Sequence, residues 1–140
     1  RGIRAGDHVG LHLHNGRPHL EAMLALYKLR ATPVNVNYRY VADELRYLFD
    51  DADLRGVITE PELAPLVDSI RADLPLLRVV LVPGDEYEAE LAAAPSDRPE
   101  VGPRSADDLY LLYTGGTTGR PKGVMWRHED IFFASLGGTP

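Results

Sequence analysis

The sequence predicts an α/β fold, a mainly parallel sheet with helices on both faces. Two observations lead to this prediction. Short apolar segments alternate with segments of helical period along much of the chain, which is the order of β–α–β units. Gly, Pro and Asn residues mark the turns between many of these segments. With 140 residues, the chain is long enough to bury a core of its own.

The predicted elements follow one another in a regular order. Apolar residues alternate with period two over residues 7–15, which predicts the first strand, and they recur at helical spacing over 20–31, which predicts the first helix. The polar, proline-rich stretch 95–107 is predicted to be an exposed loop. The remaining predicted elements are strands at 34–36, 56–59, 77–82, 109–113 and 123–127, and helices at 42–52, 61–74, 86–94 and 128–135.

Composition argues against several classes of function. The net charge of -6 is unlike that of a nucleic-acid-binding surface, which needs clustered Lys and Arg. No segment approaches the roughly 18 apolar residues of a membrane-spanning helix. Cysteine is absent, which suits a cytoplasmic protein, peripheral to a membrane at most. The first residue is Arg1, so a preceding targeting segment stays open, as does the oligomeric state.

The segment with the most chemical information is 113–123, Tyr-Thr-Gly-Gly-Thr-Thr-Gly-Arg-Pro-Lys-Gly. Its glycines allow the backbone to approach a ligand closely, and successive backbone N–H groups can then converge on an anion. The hydroxyl groups of Thr114, Thr117 and Thr118 can donate to phosphate oxygens or bind a metal ion. These properties favour a phosphate-binding loop, with a hairpin that binds nothing as the structural alternative.

The same segment is positively charged within an acidic chain. No Asp or Glu lies between residues 109 and 128, so Arg120, Lys122 and Arg127 are predicted to form a positive cluster. The loop also follows an apolar strand, and ligands of open α/β sheets bind at the carboxyl ends of strands. The pattern differs from the phosphate loop that ends in Gly-Lys-Ser/Thr and from the dinucleotide pattern Gly-x-Gly-x-x-Gly.

This segment resembles the signature of the adenylate-forming (AMP-binding) superfamily, Tyr-Thr-Ser-Gly-Thr-Thr-Gly-x-Pro-Lys-Gly. Gly115 departs from it, since the family usually has Ser there, and one hydroxyl donor is therefore missing. Residues 6–9, 33–39 and 44–45 also resemble family segments, and 123–128 favours the acyl-CoA synthetase (fatty-acid–CoA ligase) branch. Residues 1–140 are therefore expected to form an incomplete N-terminal (AMP-binding) domain, with the rest of that domain and the C-terminal domain absent.

The resemblance implies an ATP-dependent acid–thiol ligase. It would activate a carboxylic acid, such as a fatty acid, as acyl-AMP and transfer the acyl group to coenzyme A, using ATP and Mg²⁺. By the same resemblance Thr114 also approaches Mg²⁺, and Lys122 assists charge neutralisation. The residues implied to bind the phosphates of ATP are Thr114, Gly115, Gly116, Thr117, Thr118, Gly119 and Lys122.

Two other interpretations stay open. The chain could be a catalytically inactive remnant, or part of an adenylation domain that loads a carrier protein. Whether the chain is an inactive remnant or part of an acyl-CoA ligase, its 140 residues are not expected to activate an acid by themselves.

A few residues outside the loop could also bind a ligand. His8, His12 and His14 share one face of the first predicted strand, where metal binding is conceivable, but a packing or surface role is favoured. Asn15 is predicted to cap the first helix. Trp126 is interpreted as a packing residue rather than a ligand contact.

Overall fold

The computed structural model describes residues 1–97, 99–115, 119–135 and 137. It contains a six-stranded sheet of order β4-β3-β1-β2-β5-β6. All neighbouring strands are parallel except β5 and β6, which form an antiparallel hairpin. The strands are β1 (His8–His12), β2 (Thr32–Asn35), β3 (Gly56–Thr59), β4 (Val79–Leu81), β5 (Leu109–Thr114) and β6 (Lys122–Arg127).

Helices connect the parallel strands and cover both faces of the sheet, so the predicted fold class is confirmed. The helices are α1 (Arg17–Leu29), α2 (Ala42–Asp51), α3 (Ala64–Ile70), α4 (Asp85–Ala93) and α5 (His128–Ser135). A 3₁₀ turn, Arg71–Asp73, extends α3. None of the helices in the described part of the chain has the length and apolar character needed to cross a membrane.

The sheet separates two apolar cores. On one face, α2 buries Leu45, Leu48 and Phe49 against a core that also includes α3. On the other face, α1 buries Ala22 and Leu26 against β1 and β3. Full burial of each large apolar side chain stabilises the fold by about 1.5–3 kcal/mol, so α2 is firmly fixed to the sheet.

The two ends of α1 are formed by backbone geometry rather than by a side-chain cap. Gly16 precedes the helix and Pro18 lies in its first turn, where its missing N–H costs nothing. The N-cap residue is Gly16, and no side-chain cap is present among the described residues, so the prediction that Asn15 is the cap is wrong. At the other end, Arg30 adopts a left-handed conformation with φ 58° and donates its backbone N–H to the carbonyl of Tyr27.

The β5–β6 hairpin adds an antiparallel edge strand, β6, to the otherwise parallel strands of the described sheet. Its register places Tyr113 opposite Gly123 and Thr114 opposite Lys122. Directly opposed residues of an antiparallel pair project to the same face of the sheet. The hairpin therefore brings together residues from both sides of the glycine- and threonine-rich segment.

Candidate phosphate-binding loop

The predicted phosphate-binding loop connects β5 to β6 at the carboxyl end of β5. Thr114 ends β5 and lies directly opposite Lys122, which begins β6. Both residues and Gly115 are exposed, so their polar groups are accessible to a ligand. Gly119 has φ 115°, a conformation that strongly favours glycine. Three further predicted site residues, Gly116, Thr117 and Thr118, lie outside the described residues.

Both arms of the loop contact α2. On the β5 arm, the Tyr113 hydroxyl donates a 2.7 Å hydrogen bond to Oδ2 of Asp51. Burial and then this hydrogen bond raise the pKa of the Tyr113 hydroxyl. On the β6 arm, the Tyr47 hydroxyl donates to the carbonyl of Pro121 at 3.2 Å, and Cζ of Arg120 lies 4.8 Å from the centre of the Tyr47 ring.

A steric constraint explains the glycine at position 123. A Cβ atom on Gly123 would lie 3.2 Å from Cε2 and Cζ of the Tyr113 ring. Because the ring lies over the backbone at this point, only glycine leaves it undisturbed. Gly123 therefore helps to direct the Tyr113 hydroxyl toward Asp51.

The predicted cluster of positive charges is only partly present. Arg127 forms ion pairs with Asp107 at 2.8 Å and Glu129 at 2.7 Å. Arg120 lies over Tyr47 and lines a 410 Å³ cavity. The carboxylates that line the same cavity come from Asp43, Asp50 and Asp73.

Lys122 differs from Arg127 in its ion pairing. Within residues 1–97, 99–115, 119–135 and 137, its ammonium group forms no ion pair with a carboxylate. Arg120 likewise forms no ion pair among these residues. The positive charge available at the loop therefore comes from Lys122 and Arg120 and not from all three residues.

Two of the strand histidines have packing roles. His8 donates from Nδ1 to the carbonyl of Ala52 at 2.7 Å. His12 is completely buried, and its Nδ1 lies 2.9 Å from the Thr59 hydroxyl oxygen. Burial, with a smaller contribution from His14, lowers the pKa of His12 to about 4. His12 is therefore neutral at physiological pH.

His14 lies at the surface, next to two carboxylates that follow β3. Its Nδ1 is 3.7 Å from Oε1 of Glu60 and 3.8 Å from Oε1 of Glu62. The three possible ligand atoms lie within 4.8 Å of one another, so they could hold a divalent cation. Exposed carboxylates also form such groups without an ion, which agrees with the surface role favoured from the sequence. Sequence reasoning missed the two glutamates because only the parallel pairing of β1 with β3 brings them to His14.

An apolar cavity of 640 Å³ lies on the α1 face of the hairpin, opposite α2. Trp126 lines it and keeps 39% of its surface exposed, so it does not pack into the core. The ring of Tyr27 meets that of His128 edge-on at 4.3 Å. Cavities of this size and character take small organic molecules. Other lining residues are Met23, Tyr110, Leu112, Ile131 and Phe132.

Comparison with known families decides the classification. Residues 1–138 match the family described as AMP-binding enzyme. This chain belongs to the AMP-binding enzyme family. The resemblance seen in the signature segment is thereby confirmed.

Curated relatives of this AMP-binding enzyme chain include acyl-CoA ligases. The chain is 45% identical over 150 residues to the 3-oxocholest-4-en-26-oate–CoA ligase of Rhodococcus rhodochrous, covering 99% of this chain and 27% of that protein. It is 44% identical over 143 residues to the medium-chain acyl-CoA ligase Mig of Mycobacterium avium, covering 94% of this chain and 26% of that protein. The chain thus spans about a quarter of the length of these relatives.

Solved structures of family members share the fold of this AMP-binding enzyme chain. An anthranilate CoA ligase, AuaEII, in complex with anthranoyl-AMP has a TM-score of 0.88 at 29% identity, covering 96% of this chain and 27% of that chain. The inhibitor-bound N-terminal domain of FACL13 from Mycobacterium tuberculosis has a TM-score of 0.82 at 35% identity, covering 91% of this chain and 33% of that chain. The described sheet and helices are therefore those of the N-terminal part of the family's enzymes.

Proposed function

We propose that this chain supplies the ATP phosphate-binding loop of an ATP-dependent acyl-CoA ligase. The observation that carries the proposal is the hairpin register, which places Thr114 opposite Lys122 with the glycine- and threonine-rich segment between them. The named relatives are CoA ligases, which supports coenzyme A rather than a carrier protein as the acyl acceptor.

The proposed reaction has two steps. An oxygen of the acid's carboxylate attacks the α-phosphorus of ATP, which forms acyl-AMP and breaks the bond to pyrophosphate. The sulfur of coenzyme A then attacks the acyl carbon, and AMP leaves as the thioester forms. The first step needs its leaving group's charge to be neutralised, and hydrogen-bond donors fixed in advance do this most effectively.

The loop residues divide this task between backbone and side chains. Backbone N–H groups of the loop would donate to the β- and γ-phosphates, and the Thr hydroxyl groups would add further donors. Lys122 would neutralise charge on the departing pyrophosphate. Gly115 lacks the hydroxyl of the family's usual Ser, so at that position the backbone N–H alone would act. The proposed binding residues are Thr114, Gly115, Gly116, Thr117, Thr118, Gly119 and Lys122.

Mg²⁺ fits this arrangement through Thr114. The Thr114 side chain is exposed at the end of β5, and its hydroxyl oxygen is the hard type of ligand that Mg²⁺ prefers. Mg²⁺ usually keeps several waters and binds substrate phosphates and one or two carboxylates, so Thr114 would supply only one of its ligands. When bound, the ion would screen the negative charge of the polyphosphate.

We also propose that residues 1–140 form an incomplete N-terminal domain of a longer ligase. The support is that the chain spans 27% of a relative at 45% identity. The chain alone would then show no ATP–pyrophosphate exchange, because it contains too little of the ligase to complete the reaction. Exchange by the purified 140-residue chain would contradict this second proposal and leave the first in place.

The loop is tested in the intact protein that contains this chain. Lys122→Ala and Thr117→Ala should each raise the KM for ATP or lower the rate of acyl-CoA formation by about tenfold to a hundredfold, the effect of losing one hydrogen bond to a charged group. Lys28→Ala is the matched control, because Lys28 is the other lysine and is exposed on α1. Unchanged ATP use in both loop variants would remove the loop from the mechanism.

A further inference from the structure

One side of α2 contacts both arms of the loop. Tyr47 and Asp51 lie one helical turn apart and so share one side of the helix. We refer to these two residues as the α2 platform. Asp51 accepts a hydrogen bond from the Tyr113 hydroxyl on the β5 arm. The Tyr47 hydroxyl donates a hydrogen bond to the carbonyl of Pro121 on the β6 arm.

The contact on the β6 arm has two components. The Tyr47 hydroxyl donates to the carbonyl of Pro121 at 3.2 Å. The guanidinium carbon of Arg120 lies 4.8 Å from the centre of the Tyr47 ring, within the range of a cation–π interaction. A single aromatic side chain thus holds two consecutive residues that come directly before Lys122.

The helix that carries the platform is itself fixed. Its inner side buries Leu45, Leu48 and Phe49 in the core. At its first turn, Oε2 of Glu44 accepts a hydrogen bond from the backbone N–H of Val41 at 2.9 Å. The platform is therefore a rigid support and can restrict the movement of the loop that lies against it.

We infer that Tyr47 is a positioning residue for the phosphate-binding loop. By holding Arg120 and Pro121, it keeps Lys122 in register opposite Thr114 before a nucleotide binds. A loop that is ordered in advance loses less conformational entropy when it closes on its ligand, so binding is tighter. This inference rests on the proposed function for its consequence in ATP use, but the positioning itself can be measured without ATP.

The distribution of lysine provides that measurement. Lysine occurs only at positions 28 and 122, so a protease specific for lysine cuts this chain after Lys28 in α1 and after Lys122 at the loop. Cleavage after Lys122 requires the hairpin to open locally, and its rate follows the population of that open state. Cleavage after Lys28, which is exposed in the last turn of α1, serves as an internal standard for opening of the chain away from the loop.

The decisive variant is Tyr47→Phe, which removes the hydroxyl and keeps the ring. It should accelerate cleavage after Lys122 about threefold to tenfold, as expected for the loss of one hydrogen bond, without accelerating cleavage after Lys28. Tyr47→Ala should accelerate it further, because the contact with Arg120 is lost as well. Tyr87→Phe on α4 is the matched control and should behave like the unchanged chain.

Two results of the cleavage experiment would overturn the inference. Equal cleavage after Lys122 in Tyr47→Phe and the unchanged chain would show that the hydroxyl does not hold the loop. Parallel acceleration at Lys28 would show that Tyr47 acts on overall stability and not on the loop.

The intact protein separates this inference from the proposed function. Tyr47→Phe should raise the KM for ATP and leave kcat nearly unchanged, because the loop's donors are retained. If Lys122→Ala impairs ATP use and Tyr47→Phe neither opens the loop nor raises the KM for ATP, the proposed function stands and the positioning role fails. If Tyr47→Phe opens the loop but Lys122→Ala leaves ATP use unchanged, the positioning stands and the proposed function fails.

Discussion

The guanidinium of Arg30 donates hydrogen bonds of 2.7, 3.0 and 3.2 Å to the carboxylate of Asp108. Arg30 has a left-handed backbone at the end of α1, and Asp108 is the residue before β5. The pair therefore connects the end of the first helix to the start of the strand that leads to the loop. Three predictions about stability follow from this pair and from the buried His12, and two more follow from closely packed glycines.

Acid should weaken the contact between Arg30 and Asp108. The hydrogen bonds from Arg30 lower the pKa of the Asp108 carboxyl, so the folded chain binds this proton less readily than the unfolded chain. The stability contributed by Asp108 is therefore present above the carboxyl's ordinary pKa of about 4 and is lost as the pH falls below it. Asp108→Asn should show a smaller decrease in Tm below pH ~4 than the unchanged chain, measured by thermal unfolding across a pH series.

Two replacements of Arg30 should distinguish the contribution of its side chain to stability from the cost of its left-handed backbone. Both Arg30→Ala and Arg30→Gly lose the hydrogen bonds to Asp108. The alanine variant keeps the energetic cost of a left-handed backbone, whereas glycine adopts that conformation without this cost. Both variants should have a lower Tm than the unchanged chain, and the alanine variant should have the lowest. An alanine variant as stable as the glycine variant would contradict the left-handed conformation of Arg30.

The buried His12 should make the fold sensitive to mild acid. Its pKa is lowered to about 4, so the unfolded chain binds a proton below the ordinary histidine pKa of about 6.5 while the folded chain does not. Stability should therefore fall by about 3 kcal/mol as the pH decreases from 6.5 to 4. Urea unfolding of His12→Gln, which removes this titration, should show a correspondingly smaller loss over the same pH range.

Gly123→Ala should disturb the ring that lies over it. The added methyl group would lie 3.2 Å from two atoms of Tyr113, so the ring must move by a few tenths of an ångström and its hydrogen bond to Asp51 must weaken. The expected loss is about 1 kcal/mol in the free energy of unfolding. Gly115→Ala is the control, because a Cβ atom there has no described neighbour within 4 Å.

Gly10→Ala should be more damaging than the same change at Gly56. A Cβ atom on Gly10 would lie 2.9 Å from Cδ1 of Leu54 and 3.3 Å from methyl groups of Val36 and Val57. Overpacking of this kind costs about 1–3 kcal/mol. At Gly56 the closest approach is 3.3 Å, to Ile3 Cδ1, so Gly56→Ala should cost less in the same urea experiment.

The strands and helices could be predicted because their apolar residues repeat with the periods of those structures. The third helix shows the limit of that method. Predicted over 61–74, it is Ala64–Ile70 followed by a 3₁₀ turn. Pro65 lies at its start, where a residue without an N–H is tolerated. The periodicity of the apolar residues predicts a helix that is too long at both ends. Because proline is tolerated in the first turn of a helix, Pro65 would have indicated where the helix begins.

Charge at the site could be predicted only in part from residues that are neighbours in sequence. Glu129 pairs with Arg127 from two residues away, but other contacts join residues that are distant in sequence. Arg127 is neutralised in part by Asp107, on the far side of the hairpin. Arg120 shares a cavity with Asp73, which reaches the loop only because α3 and its 3₁₀ turn pack beside α2. Likewise the Tyr113 hydroxyl donates a hydrogen bond to Asp51 only because α2 packs on the sheet. A local pattern identifies the loop, but tertiary packing determines which of its charges are free.

The chain turns back into β6 after the loop, so a strand and not a helix follows the candidate site in the described residues. A phosphate loop that opens a helix gains from the aligned peptide dipoles, equivalent to roughly half a positive charge at the helix start. The hairpin lacks that fixed field. Its long-range attraction for a polyanion would rest on the side-chain charges of Lys122 and Arg120, which lie at the ends of flexible stems and are screened by dissolved ions.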